Sequence, residues 1–477
     1  MSSPQELYSL VLLWVQGLQG LRGLDGPGHA TALASLAHLV TALLVGQSLR
    51  PTALMRALLS PSPVPARQRY KRVERAWTRR WLSPAWLTPR LVRAALALVA
   101  PDAKEAKDAK EAKGGSTAGL THLALDSVRC GRWELFTIGV VWHGRVLPVG
   151  VAVLPYPWPK GQFTPTVCAL IKQVAAAWPT DRPVHLVADR AFPSRALFRT
   201  LKEVAWGWTV RLRAKSWVDV GGQAQWVRQL LVAEKGARQS GWTAKTAHYG
   251  SGKQAIPGLL VIGRGLTVLP RHQANEGSLR HRANAFAKRQ QHLASKHPGR
   301  AADASLSTDR WVVLFSTHST WLAAGASYRR RWATEGTYRD AQSGWDGKHG
   351  WDLESVVGRL KTAVEVERVC GLWALGTLVQ SWVGHMAEQS TAPGVVQAVV
   401  GQWTTSGRLS VWARGRLALT EPSGLLNDWL GETLREGAQR VAKAPPLARP
   451  IAREDAREDA RERQGRPKPT TATRKAA

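Results

Sequence analysis

Apolar positions recur with a helical period over roughly the first 100 residues. They switch to short strand-like runs near Leu120 and return to a helical period after Asp352. Pro61–Pro65, Pro84 and Pro89 read as joints between the N-terminal helices. Leu33–Leu49 is apolar but is interrupted by His38, Gln47 and Ser48, so it reads as a buried helix rather than a bilayer span. In Arg67–Trp81, Tyr70, Val73, Trp77 and Trp81 form an apolar stripe at helical spacing. The opposite face is strongly basic, and its Arg69, Lys71 and Arg72 are candidates to meet phosphate. Asp102–Lys113 is a charged low-complexity repeat followed by GGSTAG, which marks a boundary.

Three β-rich runs follow: THLALDSVRC, RWELFTIGVVW and RVLPVGVAVL. Gly131 separates the first two and His143-Gly144 the last two, the spacing of hairpins. A helix is predicted over Thr164–Trp178, then the buried strand VHLVAD, a second helix over Ser194–Val204, and the strand GWTVRLR. Antiparallel strands followed by alternating helix and strand predict one mixed α/β sheet. Residues 214–308 are Gly- and turn-rich with short β-like pieces, and read as an inserted β-rich subdomain; Arg264–Arg300 forms its basic edge. The strand RWVVLFS then leads into a helix predicted to run unbroken from Thr320 to Ser343. On that helix Tyr328, Arg331, Glu335, Arg339 and Gln342 fall on one face less than about 90° wide. Leu353–His385 reads as a core helix, and the repetitive charged end after about residue 443 as disordered.

The formal charge of +32 and a pI near 11.1 imply a polyanionic partner, nucleic acid before an acidic membrane surface. The same charge argues against a two-carboxylate glycosidase acting on a neutral sugar. Cys130, Cys168 and Cys370 are far apart, with no CxxC, so neither a disulfide framework nor a zinc knuckle is expected and a reducing cytoplasm fits. The N-terminal MSSPQELYSL lacks a basic n-region, so no signal peptide is expected.

Asp126 lies within the apolar strand LALDSV, and Asp189 ends the strand VHLVAD. A carboxylate in such surroundings is costly to bury unless it is paired or bound to metal. If the two strands are neighbours, the acids converge at the carboxyl edge of the sheet, and the helix after RWVVLFS brings Glu335 to them. Three converging carboxylates need cations. Their all-oxygen character selects Mg²⁺ or Mn²⁺. Two such ions, about 4 Å apart, support in-line phosphoryl chemistry. Asp126 is then the bridging ligand, with Asp189 and Glu335 each completing one ion.

These residues resemble the DDE transposases of bacterial insertion sequences, specifically the insertion-sequence-four family with its Y-x2-R-x3-E-x6-K signature. Tyr328, Arg331 and Glu335 match it, as does the W of RRRW; LALDSV and VADRAFPSRALFRTL resemble the two Asp blocks. The resemblance spans roughly residues 60–385. The final Lys of the signature is Gln342 here, with Arg339 one turn closer to Glu335 and Lys348 out of register.

The resemblance implies a ribonuclease-H-like fold with a β-rich insertion and a bacterial, nucleoid-associated location. It further implies cleavage of double-stranded DNA at inverted-repeat ends, strand transfer into target DNA, and a homodimer on DNA. It assigns Tyr328 and Arg331 to DNA phosphates, Trp311 to a flipped base, and Arg190 to phosphate or to orienting a carboxylate. The organisation expected is a helical DNA-binding domain over 1–100, a charged linker over 101–118, and a catalytic core over 119–213 and 309–352. The β-rich insertion occupies 214–308, a helical C-terminal domain and candidate dimer interface 353–442, and a basic tail 443–477. The alternative is a DNA-binding protein with an inactive fold of the same kind, which the Gln342 departure favours.

Overall fold

The computed structural model describes residues 4–19, 27–58, 64–77, 82–99, 120–235, 241–264, 311–342, 350–390, 411–420 and 424–444. The predicted linker and almost all of the C-terminal tail lie outside the described residues, as does the basic edge beyond Arg264.

The chain opens with helices α1 (Pro4–Gln19), α2 (Pro27–Gly46), α3 (Pro51–Ala57), α4 (Ala66–Ala76) and α5 (Pro84–Val99). Strands β1 (Thr121–Cys130), β2 (Trp133–Trp142) and β3 (Arg145–Pro155) form an antiparallel meander. Its turns obey backbone chemistry. Gly131 takes φ +62° at the first, while His143 and Gly144 take +44° and +72° at the second, the paired positive values of a type I′ hairpin. Next come α6 (Phe163–Ala176), β4 (Val184–Ala188), α7 (Arg195–Glu203) and β5 (Gly207–Arg211). Ser194 caps α7 by accepting the Leu197 N–H. Then β6 (Trp217–Val220), β7 (Gln223–Trp226), α8 (Val227–Lys235), β8 (Gly241–Tyr249) and β9 (Ile256–Arg264) precede β10 (Trp311–Ser316). The chain continues through α9 (Trp321–Arg329), α10 (Trp332–Gln342), α11 (Leu353–Val357), α12 (Ala363–Gln389), α13 (Val411–Thr420) and α14 (Gly424–Lys443).

All ten described strands join one mixed sheet in the order β3-β2-β1-β4-β5-β10-β9-β8-β6-β7. The mixed α/β expectation therefore holds, with helices at both ends of the chain. The insertion differs from expectation. Its strands do not fold apart as a subdomain but extend the sheet, because β9 pairs with β10 from Trp311↔Arg264 to Ser316↔Leu259 and leaves no edge between them.

The helices of the two chain ends pack against each other. They form one packed body in which α1 lies on α14, and α5 and α2 on α12. The Trp14 indole donates to the Leu434 carbonyl at 2.8 Å, and Trp382 to that of Thr433 at 2.9 Å. These bonds tie α1 and α12 to α14. The central helix α12 is enclosed along most of its length. On α14, Glu432, Arg435 and Gln439 are exposed. Leu36, Leu43 and Leu44 of α2 are fully buried in this body, as expected for a core helix. Among the described residues, no single helix is long and apolar enough to cross a membrane.

The sheet has two different faces. Leu123, Leu125, Leu186 and Ala188 point into the large core, which α5, α6 and α12 cover through β3. Ala124 and Val187 point the other way and meet Ala333 of α10. Small residues there let α10 lie close to the strands. The three cysteines are free thiols.

Candidate active site

Strands β1 and β4 pair in parallel with Leu125 opposite Ala188. The next residue in each strand direction is an aspartate, so Asp126 and Asp189 emerge side by side at the carboxyl ends of the pair. This juxtaposition follows the expectation from sequence. It is the position at which open α/β sheets present their ligand sites.

The segment that crosses these acids is not the single helix expected. It breaks at Arg330-Arg331, where the Arg330 and Arg331 amides bond to the carbonyls of Ser327 and Tyr328, three residues back. The break has a physical reason. It turns Arg331 inward, where its guanidinium lies 3.0 Å from Asp126 Oδ2 and 2.8 Å from Glu335 Oε1. Ion-pairing compensates the burial of that charge, which is only 5% exposed. Burial disfavours the Arg331 cation, but Asp126, Tyr328, Asp189 and Glu335 outweigh it and its pKa is raised.

Each acid has its own surroundings. Asp126 accepts the Thr334 hydroxyl at 2.6 Å and the Ser127 amide at 2.9 Å, while the Tyr338 hydroxyl donates to its backbone carbonyl at 3.3 Å. Burial raises the Asp126 pKa, with Arg331 and Thr334 opposing it. Asp189 accepts the Tyr328 hydroxyl at 3.1 Å and has Arg211 at 3.9 Å. Burial pushes Asp189 up, but Arg331, the Arg190 amide, Arg211 and Tyr328 outweigh it, so the carboxyl lies below its ordinary range. Burial, followed by the charge of Asp189, pushes the Tyr328 phenol up to about 12, so it stays a donor. Glu335 remains half open to solvent, its side chain 54% exposed.

The site thus gathers Asp126, Asp189, Tyr328, Arg331 and Glu335. Tyr328 and Arg331 are buried against the acids in this state, not displayed on a polar surface face. Arg339 lies exposed on α10 and Arg190 exposed just after Asp189. Gln342 is partly buried at the end of α10, and Lys348 lies outside the described residues. Trp311 opens β10, but its side chain also lies outside what the structure describes. Lys71 and Arg72 are exposed on α4, and Arg69 is partly buried there, in the helical body.

Sequence reasoning missed the recess beside Asp189. About 790 Å³ in volume, it is lined among others by Arg195, Arg213, Lys215, Trp217 and Trp226. Trp217 and Trp226 meet edge to face at 4.7 Å, and Trp226 is 36% exposed. The alternation of Arg211, Arg213 and Lys215 from the end of β5 onward was the available signal. Thr334 was also missed, although it neighbours Glu335 in the sequence.

An all-oxygen set of Asp126, Asp189 and Glu335 suits a hard divalent cation. The Arg331 guanidinium already acts as the positive charge that these acids hold. No protein-family model matches the chain, and a search of curated proteins finds no match.

Proposed function

We propose that this chain is a DNA transposase of the DDE kind, which cleaves DNA at the ends of a mobile element and joins them to a target. The observation that carries the proposal is the placement of Asp126 and Asp189 on adjacent parallel strands, with Arg331 and Glu335 of the Y-x2-R-x3-E segment set against them. The sheet order β3-β2-β1-β4-β5, an antiparallel meander followed by parallel strands, supports a ribonuclease-H-like core. The net charge of +32 supports DNA as the partner.

Asp126, Asp189 and Glu335 would hold two Mg²⁺ or Mn²⁺ ions. Bound there, such ions supply Lewis acidity at the phosphate and lower the pKa of a hydroxyl nucleophile. The chain's own residues orient the acids. Thr334 and the Ser127 amide fix the two oxygens of Asp126, and Tyr328 fixes one oxygen of Asp189. Arg331 neutralises the acids in the resting protein; with cations held by the acids, its guanidinium would be released to pair with a DNA phosphate. The recess beside Asp189 offers cations for the backbone and indoles for a base, the combination that holds unpaired nucleotides. In cleavage, water attacks phosphorus and the 3′-oxygen leaves as a 3′-hydroxyl. In strand transfer, that 3′-hydroxyl attacks a target phosphate, its P–O bond forms as the target's own P–O3′ bond breaks, and the proton it loses passes to the departing 3′-oxygen through solvent. A homodimer on DNA would bring two ends together.

Incubation with DNA carrying the repeats that flank the gene, in Mg²⁺ or Mn²⁺, tests the proposal. Cation-dependent nicks at the repeat ends are expected; folded protein that binds this DNA without nicking it would favour the second reading. That reading, a DNA-binding protein with an inactive fold, draws on Gln342 in place of the signature lysine and on the Arg331 side chain already occupying the acids.

A further inference from the structure

The β2–β3 turn lies at the strand end away from Asp126, beyond the amino end of β1, since β2 runs antiparallel to β1 with Asp126 opposite Thr137 and Leu123 opposite Val140. There His143 meets His385 and Glu388 near the end of α12, and their ligand atoms lie within 4.8 Å of one another. We propose that His143, His385 and Glu388 form a site for a transition-metal dication of the Zn²⁺ class, which ties the β2–β3 turn to α12.

Four observations converge on it. The donor set, two imidazoles and one carboxylate, is one of the recurrent three-ligand sets for zinc and leaves a fourth position open. Imidazole donors select zinc, cobalt or nickel over the hard cations that suit the acids of β1 and β4. His385 and Glu388 stand three residues apart on α12, so both project from one side of the helix. Finally, the Nδ1 of His385 is buried and has no hydrogen-bond partner among the described residues, so nothing in the fold claims it.

The surroundings hold the donors in place. The His143 and His385 rings lie 4.5 Å apart, and Trp142 packs against both, at 4.8 and 4.7 Å. Arg414 donates to Glu388 Oε2 at 2.6 Å, the kind of outer partner that orients a ligating carboxylate. His143 adopts φ +44°, a backbone conformation fixed by the hairpin, so the turn sets where its ring stands. Small rotations of the three side chains would bring the donors to metal bond lengths of about 2.0–2.2 Å.

The site would also bear on the sheet's other helix. Arg145, two residues after His143, bonds to Asp340 of α10 at 2.5 Å, and α10 carries Glu335. A metal at the turn would therefore stiffen the strand that anchors the Glu335 helix.

Titration of the chelator-treated full-length protein with Co²⁺ and Zn²⁺ tests the assignment. With excess Mg²⁺ present to occupy the acid site, the expected result is visible d–d absorption from one cobalt ion per chain, displaced by Zn²⁺. His143→Asn, His385→Ala and Glu388→Gln should each weaken it by at least about tenfold. Asparagine tolerates the positive φ of the turn, and glutamine keeps an acceptor for Arg414, so these two variants preserve the fold. Asp126→Asn should leave the signal intact. Absence of the cobalt spectrum in the wild type would overturn the site. So would wild-type affinity in folded His143→Asn and Glu388→Gln, or loss of the signal in Asp126→Asn shown to be folded by circular dichroism.

Discussion

The two ends of the β1–β4 pair carry polar side chains on the same face of the sheet, and they treat them in opposite ways. At the amino end, His122 sits opposite His185 in the strand register. His185 stacks on His318 at 4.0 Å, and the Ser327 hydroxyl bridges His122 at 2.9 Å and His318 at 2.7 Å. Burial pulls His122 down to about 4, with Arg330 and His318 adding to it. Burial pulls His185 to about 2, with His318 and His122 adding to it. At this end the ring nitrogens bond to the neutral hydroxyls of Ser327 and Thr209 and, for His122, to the Leu120 backbone. At the carboxyl end, Asp126 and Asp189 keep a positive partner, and Glu335 opens to solvent. The same segment serves both ends, through Ser327 at one and through Tyr328, Arg331 and Thr334 at the other. A buried polar cluster held by neutral hydrogen bonds is structural, whereas one held by a counter-charge can exchange that charge for another cation.

The largest expected effect separates the ends by charge. Asp126→Ala leaves Arg331 buried beside one fewer acid and should destabilise the fold by about 3–5 kcal/mol in urea denaturation. Adding Arg331→Met should recover most of that loss, because it removes the stranded charge. No recovery in the double variant would mean that the two residues are not coupled as their 3.0 Å contact implies.

The histidine end should reveal itself through pH. Its histidines have folded pKa values below the ordinary 6.5, so below that pH the unfolded chain binds more protons than the folded one. Stability is therefore full above about pH 6.5 and falls as pH drops toward 4, by up to roughly 1.4 kcal/mol per unit for each histidine. His122→Gln with His185→Gln should make the fall in melting temperature between pH 6.5 and 4.5 shallower, the remainder coming from His318, His385 and His38, whose pKa values burial also lowers. An unchanged slope in that variant would place the titration elsewhere.

A smaller contrast lies in two glycines. A Cβ on Gly207 would meet His185 Nδ1 at 2.9 Å and Thr317 Oγ1 at 3.0 Å, within the histidine end. On Gly336 it would meet Arg145 Nη1 at 2.7 Å, the tip of a long side chain. Both alanine variants should cost about 1–3 kcal/mol. Gly207→Ala should cost more, because the histidine stack has less room to yield; thermal denaturation of the pair decides it. The smallest effect concerns DNA. Arg331→Ala should lower the salt dependence of end binding by about one phosphate contact, and an unchanged salt slope would deny it that contact.

Much of this was legible from residue patterns, and the remainder for identifiable reasons was not. Alternation placed Asp126 and Asp189 on strands, and their apolar context marked them as costly to bury. The β2–β3 turn was legible because His143-Gly144 is a local signal. The helix break at Arg330 was not, since nothing local in SYRRRWATE opposes a helix; a long-range ion pair to Asp126 drives it. The insertion's strands were visible, but their place in the sheet depends on register with β10, which no local pattern carries. The histidine end had a signal that went unused. Both strands read His-Leu-x-x-Asp, as HLALD and HLVAD, which sets a histidine and an aspartate on one face at opposite ends of the stretch over which β1 and β4 pair.

The central claim is that chemistry belongs to the acid end alone. The most direct measurement is a nicking time course at pH 7.5 on DNA bearing the element's own ends, with Mg²⁺ or Mn²⁺. Wild type, Asp189→Ala and His122→Gln would be compared at equal folded concentration. The account predicts nicking by wild type, a loss on the order of a thousandfold in Asp189→Ala, and near-normal rates in His122→Gln. Nicking that survives Asp189→Ala would contradict it.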